Sequence, residues 1–447
     1  MSDINTIIQS SITRENAVAS LPGFGVPAIL SQFAADGDRV VAFGRYRYYS
    51  STAEMTADGW ASTDSVYQAA SAILSQNPKV PRLMVGRIDS GDASVAASGD
   101  AIRAAQDDWY AFEVVGNRGV LFDLSADLIA SNSVSGTING TTFGPVVYAT
   151  SHDATMAALK TAIETALGTG TVATVTGNNM AVVKPGTDLN TATLAVTLGA
   201  SQPTVTTTYP LDATKTKAWM AWTATQKKLQ FVQDSDPATK AANTGVSGTA
   251  CLAEFAILNS YERCAVVYHE TNTEYVAAAW MGKELPYAPG LRTWAFKNLT
   301  GITATYLTTS EEGYVRTDKR ANVYTTTATF AHTYVGTVAK ASTYIDDVRN
   351  LDWVNSTIQT DLFNLLAAMG KVPFTDAGIQ VVVGTLKASL QKAQDALVFD
   401  AGWEVAFPAA SAVSAGDKAA RRLTGITWSA TLQGAVHQII INGTVSV

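Results

Sequence analysis

Residues 64–115 read DSVYQAASAILSQNPKVPRLMVGRIDSGDASVAASGDAIRAAQDDWYAFEVV, and their pattern sets the fold class. Val66, Ala69, Ala70, Ile73 and Leu74 recur at helical spacing, which predicts a helix over Asp64–Gln76 that stops before Asn77-Pro78. Pro81–Ile88 reads as a strand, Ala93–Ala105 as a second helix and Trp109–Val115 as a second strand. Arg39–Tyr46, upstream, reads as a further strand. Strands alternating with helices point to an α/β layer.

The alternation then stops. Residues 118–212 are rich in Thr, Gly, Val and Ala and poor in charge. Short strands are predicted at Thr141–Ala149, Val172–Thr176, Ala181–Lys184 and Leu194–Leu198, with turns at Asn139-Gly140 and Pro185-Gly186. One helix, Asp153–Leu167, interrupts them, with Asp153 as the expected N-cap. The α/β pattern resumes with helices at Ala218–Thr225, Thr249–Tyr261 and Asn272–Leu285 and strands at Leu229–Gln233 and Cys264–His269. An interruption followed by resumption implies a nested β-rich domain at 118–212 inside an α/β domain formed by 21–117 and 213–289.

A further unit is expected over 290–434. Ser356–Met369 carries Ile358, Leu362, Leu365, Leu366 and Met369 on one face. Asp376–Leu397 is the clearest helix, with Asp376 as its expected cap. The two ends differ from the body. Residues 1–20 place Ile4, Ile8 and Ile12 on one parity of an extended segment, and Leu21–Ala28, rich in Gly and Pro, reads as a turn joining that arm to the body. Ile426–Leu432 and Ala435–Val447 read as strands, the latter around a candidate hairpin turn at Asn442-Gly443, with 435–447 as a C-terminal arm.

Composition narrows the function. Only 15% of the 447 residues are charged, against roughly 25% in an ordinary globular chain. The net charge of −7 gives no basic tract for nucleic acid and no cationic face for an anionic membrane. No apolar run is long enough to cross a bilayer, and Met1–Arg14 lacks the pattern of a secretory signal. Cys251 and Cys264 read as small buried hydrophobes in a chain folded in a reducing cytoplasm. A surface with so few charges is expected to associate, most simply with copies of itself.

No chemical constellation stands out. Gly23-Phe24-Gly25-Val26-Pro27-Ala28 fits G-x-G-x-x-A only nominally, because Pro27 sits where amide donors should face a phosphate. His152, His269, His332 and His437 form no metal-ligand spacing, and each reads as structural. Asp346, Asp347 and Arg349, with Asp352 nearby, are the densest local charge group and read as a salt-bridged or interface loop. Arg421 and Arg422 read as an ion pair across an interface. The runs Tyr46–Tyr49 and Trp109-Tyr110 read as core or subunit contacts rather than base-stacking platforms. No catalytic group, metal or cofactor is therefore expected.

At this point the order of features resembles a known family. DINTIIQSSITRENAVASLPGFGVPAIL at the start, PRLMVGRI followed by DDWYAF, LRTWAFKNLTGI with KRANVYTT, and STYIDDVRNLDWVNSTIQTDLFNLLAAMGKVPFTDAGI resemble the contractile tail sheath proteins of bacteriophages. The matching positions of the last stretch are Tyr344, Ile345, Asp346, Arg349, Asp352, Trp353, Lys371, Pro373 and Phe374. Outside 118–212 the resemblance covers most of the chain. It implies a mixed-sheet sheath core with an inserted outer domain and extended terminal strand arms. Subunits of such a family stack as hexameric-type rings in a helical polymer around an inner tail tube protein. They also meet baseplate and tail terminator proteins, without membrane insertion, in a virion tail assembled in the bacterial host cytoplasm. Each donates its arms to sheets of neighbouring subunits, which is strand addition. Ile4, Ile8 and Ile12, and Ile439, Ile441, Val445 and Val447, would then face one side of the donated strands. Asp346, Asp347, Arg349, Arg421 and Arg422 would be switching contacts. Two other readings stay open: a sheath in a phage-like secretion or bacteriocin machine, and an α/β small-molecule enzyme with a site where the strand order reverses.

Overall fold

The computed structural model describes residues 23–33, 42–62, 64–89, 91–116, 120–184, 189, 192–197, 199, 201–208, 213–242, 251–271, 274–441 and 443. The N-terminal arm with Ile4, Ile8 and Ile12, and Val445 and Val447 at the other end, lie outside them. The chain divides into two compact units, Gly23–Asp352 with the C-terminal residues from Gly434, and Trp353–Gln433.

The large unit opens with strands β1 (Pro27–Gln32) and β2 (Tyr46–Tyr49), helices α1 (Thr52–Ala57) and α2 (Ser65–Leu74), β3 (Leu83–Ile88), α3 (Val95–Ala105) and β4 (Ala111–Val114). The inserted segment holds β5 (Val120–Leu124), β6 (Ser133–Ile138), β7 (Thr141–Val147), α4 (His152–Leu167), β8 (Val172–Thr176), β9 (Asn179–Val183), β10 (Ala192–Thr197) and β11 (Val205–Thr208). The chain returns through α5 (Ala213–Ala224), β12 (Leu229–Asp234), α6 (Leu252–Leu258), β13 (Cys264–Tyr268), α7 (Val276–Glu284), α8 (Thr309–Gly313), β14 (Asn322–Thr327) and β15 (Phe330–Tyr334).

One eight-stranded sheet organises this unit, in the order β15-β14-β13-β12-β4-β1-β3-β2. The six inner strands are parallel and the two outer ones antiparallel to their neighbours. Two corrections to the sequence reading follow. Leu21–Ala28 was expected to be only a turn, yet β1 begins at Pro27 and sits among the innermost strands, with Ala28, Ile29 and Leu30 fully buried. The turn is confined to residues before it, where Val26 N donates to Gly23 O at 2.9 Å. Proline is tolerated there because it is the first residue of the strand. Of the strand expected over Arg39–Tyr46, residues 39–41 lie outside the described residues, 42–45 carry no regular structure, and β2 starts at Tyr46.

Alternate side chains of the parallel strands face opposite helix layers. Ala28, Leu30, Met84 and Phe112 pack with Ile102 of α3 and Trp219 and Trp222 of α5. Helices α2 and α7 pack on each other and on β1. Both helix layers close through a glycine. A Cβ at Gly282 would lie 2.5 Å from the Ile73 carbonyl oxygen, and one at Gly99 would lie 2.4 Å from the Trp222 ring.

The inserted segment forms two antiparallel sheets, β10-β6-β7 and β11-β5-β9-β8. Its own core includes Phe122, Val134, Phe143, Met180 and Val182, with Met156, Leu159 and Ile163 of α4 laid against them. The cap of α4 is Ser151, whose hydroxyl accepts from Ala154 N, rather than the expected Asp153. Strands β14 and β15, inside the expected 290–434 domain, belong to the large sheet.

The smaller unit comprises most of α9 (Ile345–Ala368), α10 (Asp376–Asp395), β16 (Glu404–Ala406), α11 (Ala415–Ala419) and β17 (Thr427–Ser429). Val354 of α9 packs with Leu386, Leu390 and Ala393 of α10 over Val398 and Phe399. Thr375, not Asp376, caps α10, and Asp376 instead accepts Ala410 N at 2.7 Å.

Candidate functional site

The local charge group is not a loop. Asp346, Asp347, Arg349 and Asp352 all lie in the first turns of α9. Arg349 is buried, and its guanidinium donates to the carbonyls of Phe24, Glu284, Leu285 and Tyr287, the last at 2.7 Å. Three of these carbonyls cluster at the C-terminus of α7, where a helix leaves its last carbonyls without partners of its own. Burial holds the Arg349 guanidinium down to about 10. The residue therefore braces the large unit internally and is not presented to a neighbour. Asp352 is likewise spent inside, pairing with both terminal nitrogens of Arg263 at 2.6 and 2.8 Å and accepting the Tyr110 hydroxyl at 2.8 Å.

Asp346 and Asp347 are half-buried. Burial, reinforced by the neighbouring Asp347 charge, pushes the Asp346 carboxyl up to about 7. Glu284, also raised to about 7 by burial, keeps Arg292 within 3.4 Å. In the smaller unit Arg421 is exposed, while Arg422 pairs at 2.6 Å with Asp417 of α11, just before it in the chain.

The histidines are engaged within the chain. His269 places its ring nitrogens 2.9 and 2.8 Å from the Thr271 and Thr303 carbonyl oxygens, and His332 contacts the Thr333 carbonyl and the Thr327 hydroxyl. Leu128 N donates to His152 Nδ1 at 2.9 Å. Cys251 and Cys264 are buried. Among the described residues no group of three or more His, Cys, Asp or Glu side chains is placed to hold a metal ion, and no helix is long and apolar enough to cross a membrane.

What the structure does leave open is apolar. Residues 435–441, the described part of the strand expected over Ala435–Val447, carry no regular structure, because a strand needs a partner for its ladder. Val436, Ile439, Ile440 and Ile441 are 76 to 86% exposed. In the smaller unit β16 and β17 form, among the described residues, a two-stranded sheet, pairing Glu404 with Ser429 and Ala406 with Thr427. A groove of about 470 Å³ runs over them, lined by Lys387, Trp403, Val405 and Trp428 among others. Trp428 is 40% exposed. The apolar face expected over Ser356–Met369 is only partly covered, since Ile358, Leu362 and Leu365 are half-buried while Leu366 and Met369 are exposed. Sequence periodicity marks such a stripe but not whether the chain itself covers it.

This combination of a doubly wound core, a β-rich insertion and a helical C-terminal unit has counterparts. A chain of the six-fold symmetrised anti-feeding prophage baseplate superposes with a TM-score of 0.55 at 11% identity, over 98% of this chain and 99% of its own. A chain of the PVC sheath complex of an extracellular contractile injection system, in the contracted state, superposes with a TM-score of 0.52 at 11% identity, over 98% of each chain. The fold is thus one found in contractile particles. Residues 345–406, from the start of α9 to the end of β16, match the family described as E217 tail sheath protein gp31-like, C-terminal domain. No curated protein sequence matches the chain.

Proposed function

We propose that this chain is the structural subunit of a contractile tail sheath. It polymerises around an inner tube and contracts to drive that tube through a host envelope for genome delivery. It acts without catalysing a reaction. The observation that carries this reading is the isoleucine run at 439–441, which is exposed and seeks a strand partner that no described segment of its own chain supplies. The two-stranded sheet of the smaller unit offers the complementary feature to another copy, a strand edge left unpaired among the described residues. Backbone pairing of this kind ties subunits together while leaving each free to turn as a rigid body. The N-terminal arm with Ile4, Ile8 and Ile12 would do the same. Inner tube, baseplate and terminator proteins are the further partners, in a particle assembled in the bacterial cytoplasm.

Removing residues 436–447 tests the reading. Tubes should vanish from electron micrographs of the purified protein while its melting temperature stays within about 1 °C, since exposed residues contribute little to stability. A full chain that stays monomeric at high concentration, or a truncated one that polymerises normally, sinks it. A second reading, the sheath of a phage-derived injection machine without a genome, is favoured by the two structural counterparts, an anti-feeding prophage and an extracellular injection system. Particles purified from the source that carry no encapsidated DNA would select it.

A further inference from the structure

From Gln433 to Ile441 every residue is exposed except His437. Its Nε2 lies 2.7 Å from the Thr293 hydroxyl. Its ring stands edge-on to Tyr344 at 5.1 Å and to Phe296 at 5.7 Å, with interplanar angles of 89° and 88°. Phe296 itself adopts φ +60°, a left-handed conformation that costs a non-glycine residue about 1 kcal/mol or more. The strain is held in place by the Phe296 N–H, which donates to Thr333 O at 2.7 Å, and by ring contacts to His332 and Tyr334 of the edge strand β15. Backbone strain kept at a partly exposed aromatic residue points to a task for the ring, and here the ring closes on the tail.

We propose that Thr293, Phe296 and Tyr344 form a clasp that seats His437, fixes where and in which direction residues 438–441 leave the large unit, and opens in acid. The inference rests on reading 435–447 as a strand donated to a neighbouring subunit. The donated strand must reach its acceptor edge from a defined root, and the clasp supplies that root close to the exposed isoleucines. His437 would be a positioning residue, acting through the strand it orients.

The acid dependence follows from what faces the imidazole. Lys297, on the same connection as Phe296, repels a protonated ring, while Asp347 on α9 attracts it. Burial, the largest effect, and Lys297 together hold the imidazole below its ordinary value. Thr293, Phe296 and Tyr344 bring no charge at neutral pH. Asp346, the residue before Asp347 on α9, has its own carboxyl raised to about 7 and is increasingly neutral in acid. The seated ring therefore prefers to be neutral. Seating is at full strength above the value of a free imidazole and weakens as pH falls below it, by at most about tenfold per pH unit for a single proton.

A nitroxide label on Ile439→Cys in the otherwise full chain reads the clasp directly, because both native cysteines are buried. At a concentration below assembly, the label should be motionally restricted at about pH 7.5 and gain a mobile component at about pH 5, on either side of the histidine range. His437→Ala should be mobile at both values with an unchanged melting temperature. His437→Phe, which keeps a ring but takes no proton, should stay restricted at both. A wild-type label indifferent to pH and to His437→Ala overturns the clasp. So does a His437→Ala protein, in an unlabelled background, that assembles tubes at the wild-type rate. If the label behaves as expected but the wild-type protein forms no tubes under any condition, the clasp stands and the strand-donation reading falls.

Discussion

Replacing Arg349 by Met removes a cation from the interior of the large unit together with its bonds to four carbonyls in two distant segments. The strongest bonds run from Nη2 to Tyr287 O at 2.7 Å and Leu285 O at 3.1 Å, and those to Phe24 and Glu284 are longer. Hydrogen bonds from a charged donor contribute roughly 1.5–3 kcal/mol each, so the set offers about 6 kcal/mol once non-additivity is allowed for. Against this stands the cost of keeping the charge buried. The drop from 12.5 to about 10 in the guanidinium corresponds to about 3 kcal/mol, a cost that Met escapes. The net expected loss is about 3 kcal/mol, within the range for breaking a buried charge network. For a unit of about 330 residues, an unfolding entropy of roughly 2 cal/mol/K per residue converts this to a fall of about 4 °C in Tm. Differential scanning calorimetry on the full chain, below the assembly concentration, measures it. Arg349→Lys, which keeps the charge but has fewer donors, should fall between. An Arg349→Met protein melting at or above the wild-type temperature would refute the brace and return Arg349 to the list of interface charges.

Two further outcomes are expected. The Asp346 carboxyl titrates near 7 in the folded state against an ordinary 3.8, so the folded state favours its protonated form, and wild-type stability declines as pH rises from about 4 to about 7. Asp346→Asn should therefore be more stable than wild type by about 2–4 kcal/mol at pH 8 and equal to it near pH 4, as denaturant titrations at the two values would show. Gly282→Ala places a methyl group 2.5 Å from the Ile73 carbonyl oxygen, with backbone that cannot swing aside. It should cost about 1–3 kcal/mol through forced separation of α2 and α7, and an unchanged unfolding midpoint would show that the two helices do not meet so closely.

The sequence by itself determined the elements whose signal is local. Helices α2, α3 and α10 carry apolar residues at three- and four-residue spacing, with breakers or caps at their ends, so periodicity reports them without knowledge of the fold. Strands β3, β4, β12 and β13 were legible because each stands between helices in an alternating pattern. The shortage of charge and the apolar tail were likewise legible before any coordinates, and they raised the expectation of an associating protein.

Tertiary structure decided what depends on distant partners. Strand β1 is masked by the Gly and Pro residues before it, and only pairing with β3 and β4 makes it central. The Thr-rich β14 and His-containing β15 become strands by extending the edge beyond β13. Asp346, Asp347 and Arg349 looked like a surface group because the sequence shows their charge but not the carbonyls of α7, some 60 residues upstream, that draw Arg349 inside. His437 read as a structural histidine of a core or an interface, and its clasp joins residues more than 90 positions apart in the chain. Local spacing encodes which face of an element is apolar. What covers that face, and which charges it buries, is a property of long-range packing that one-dimensional pattern does not contain.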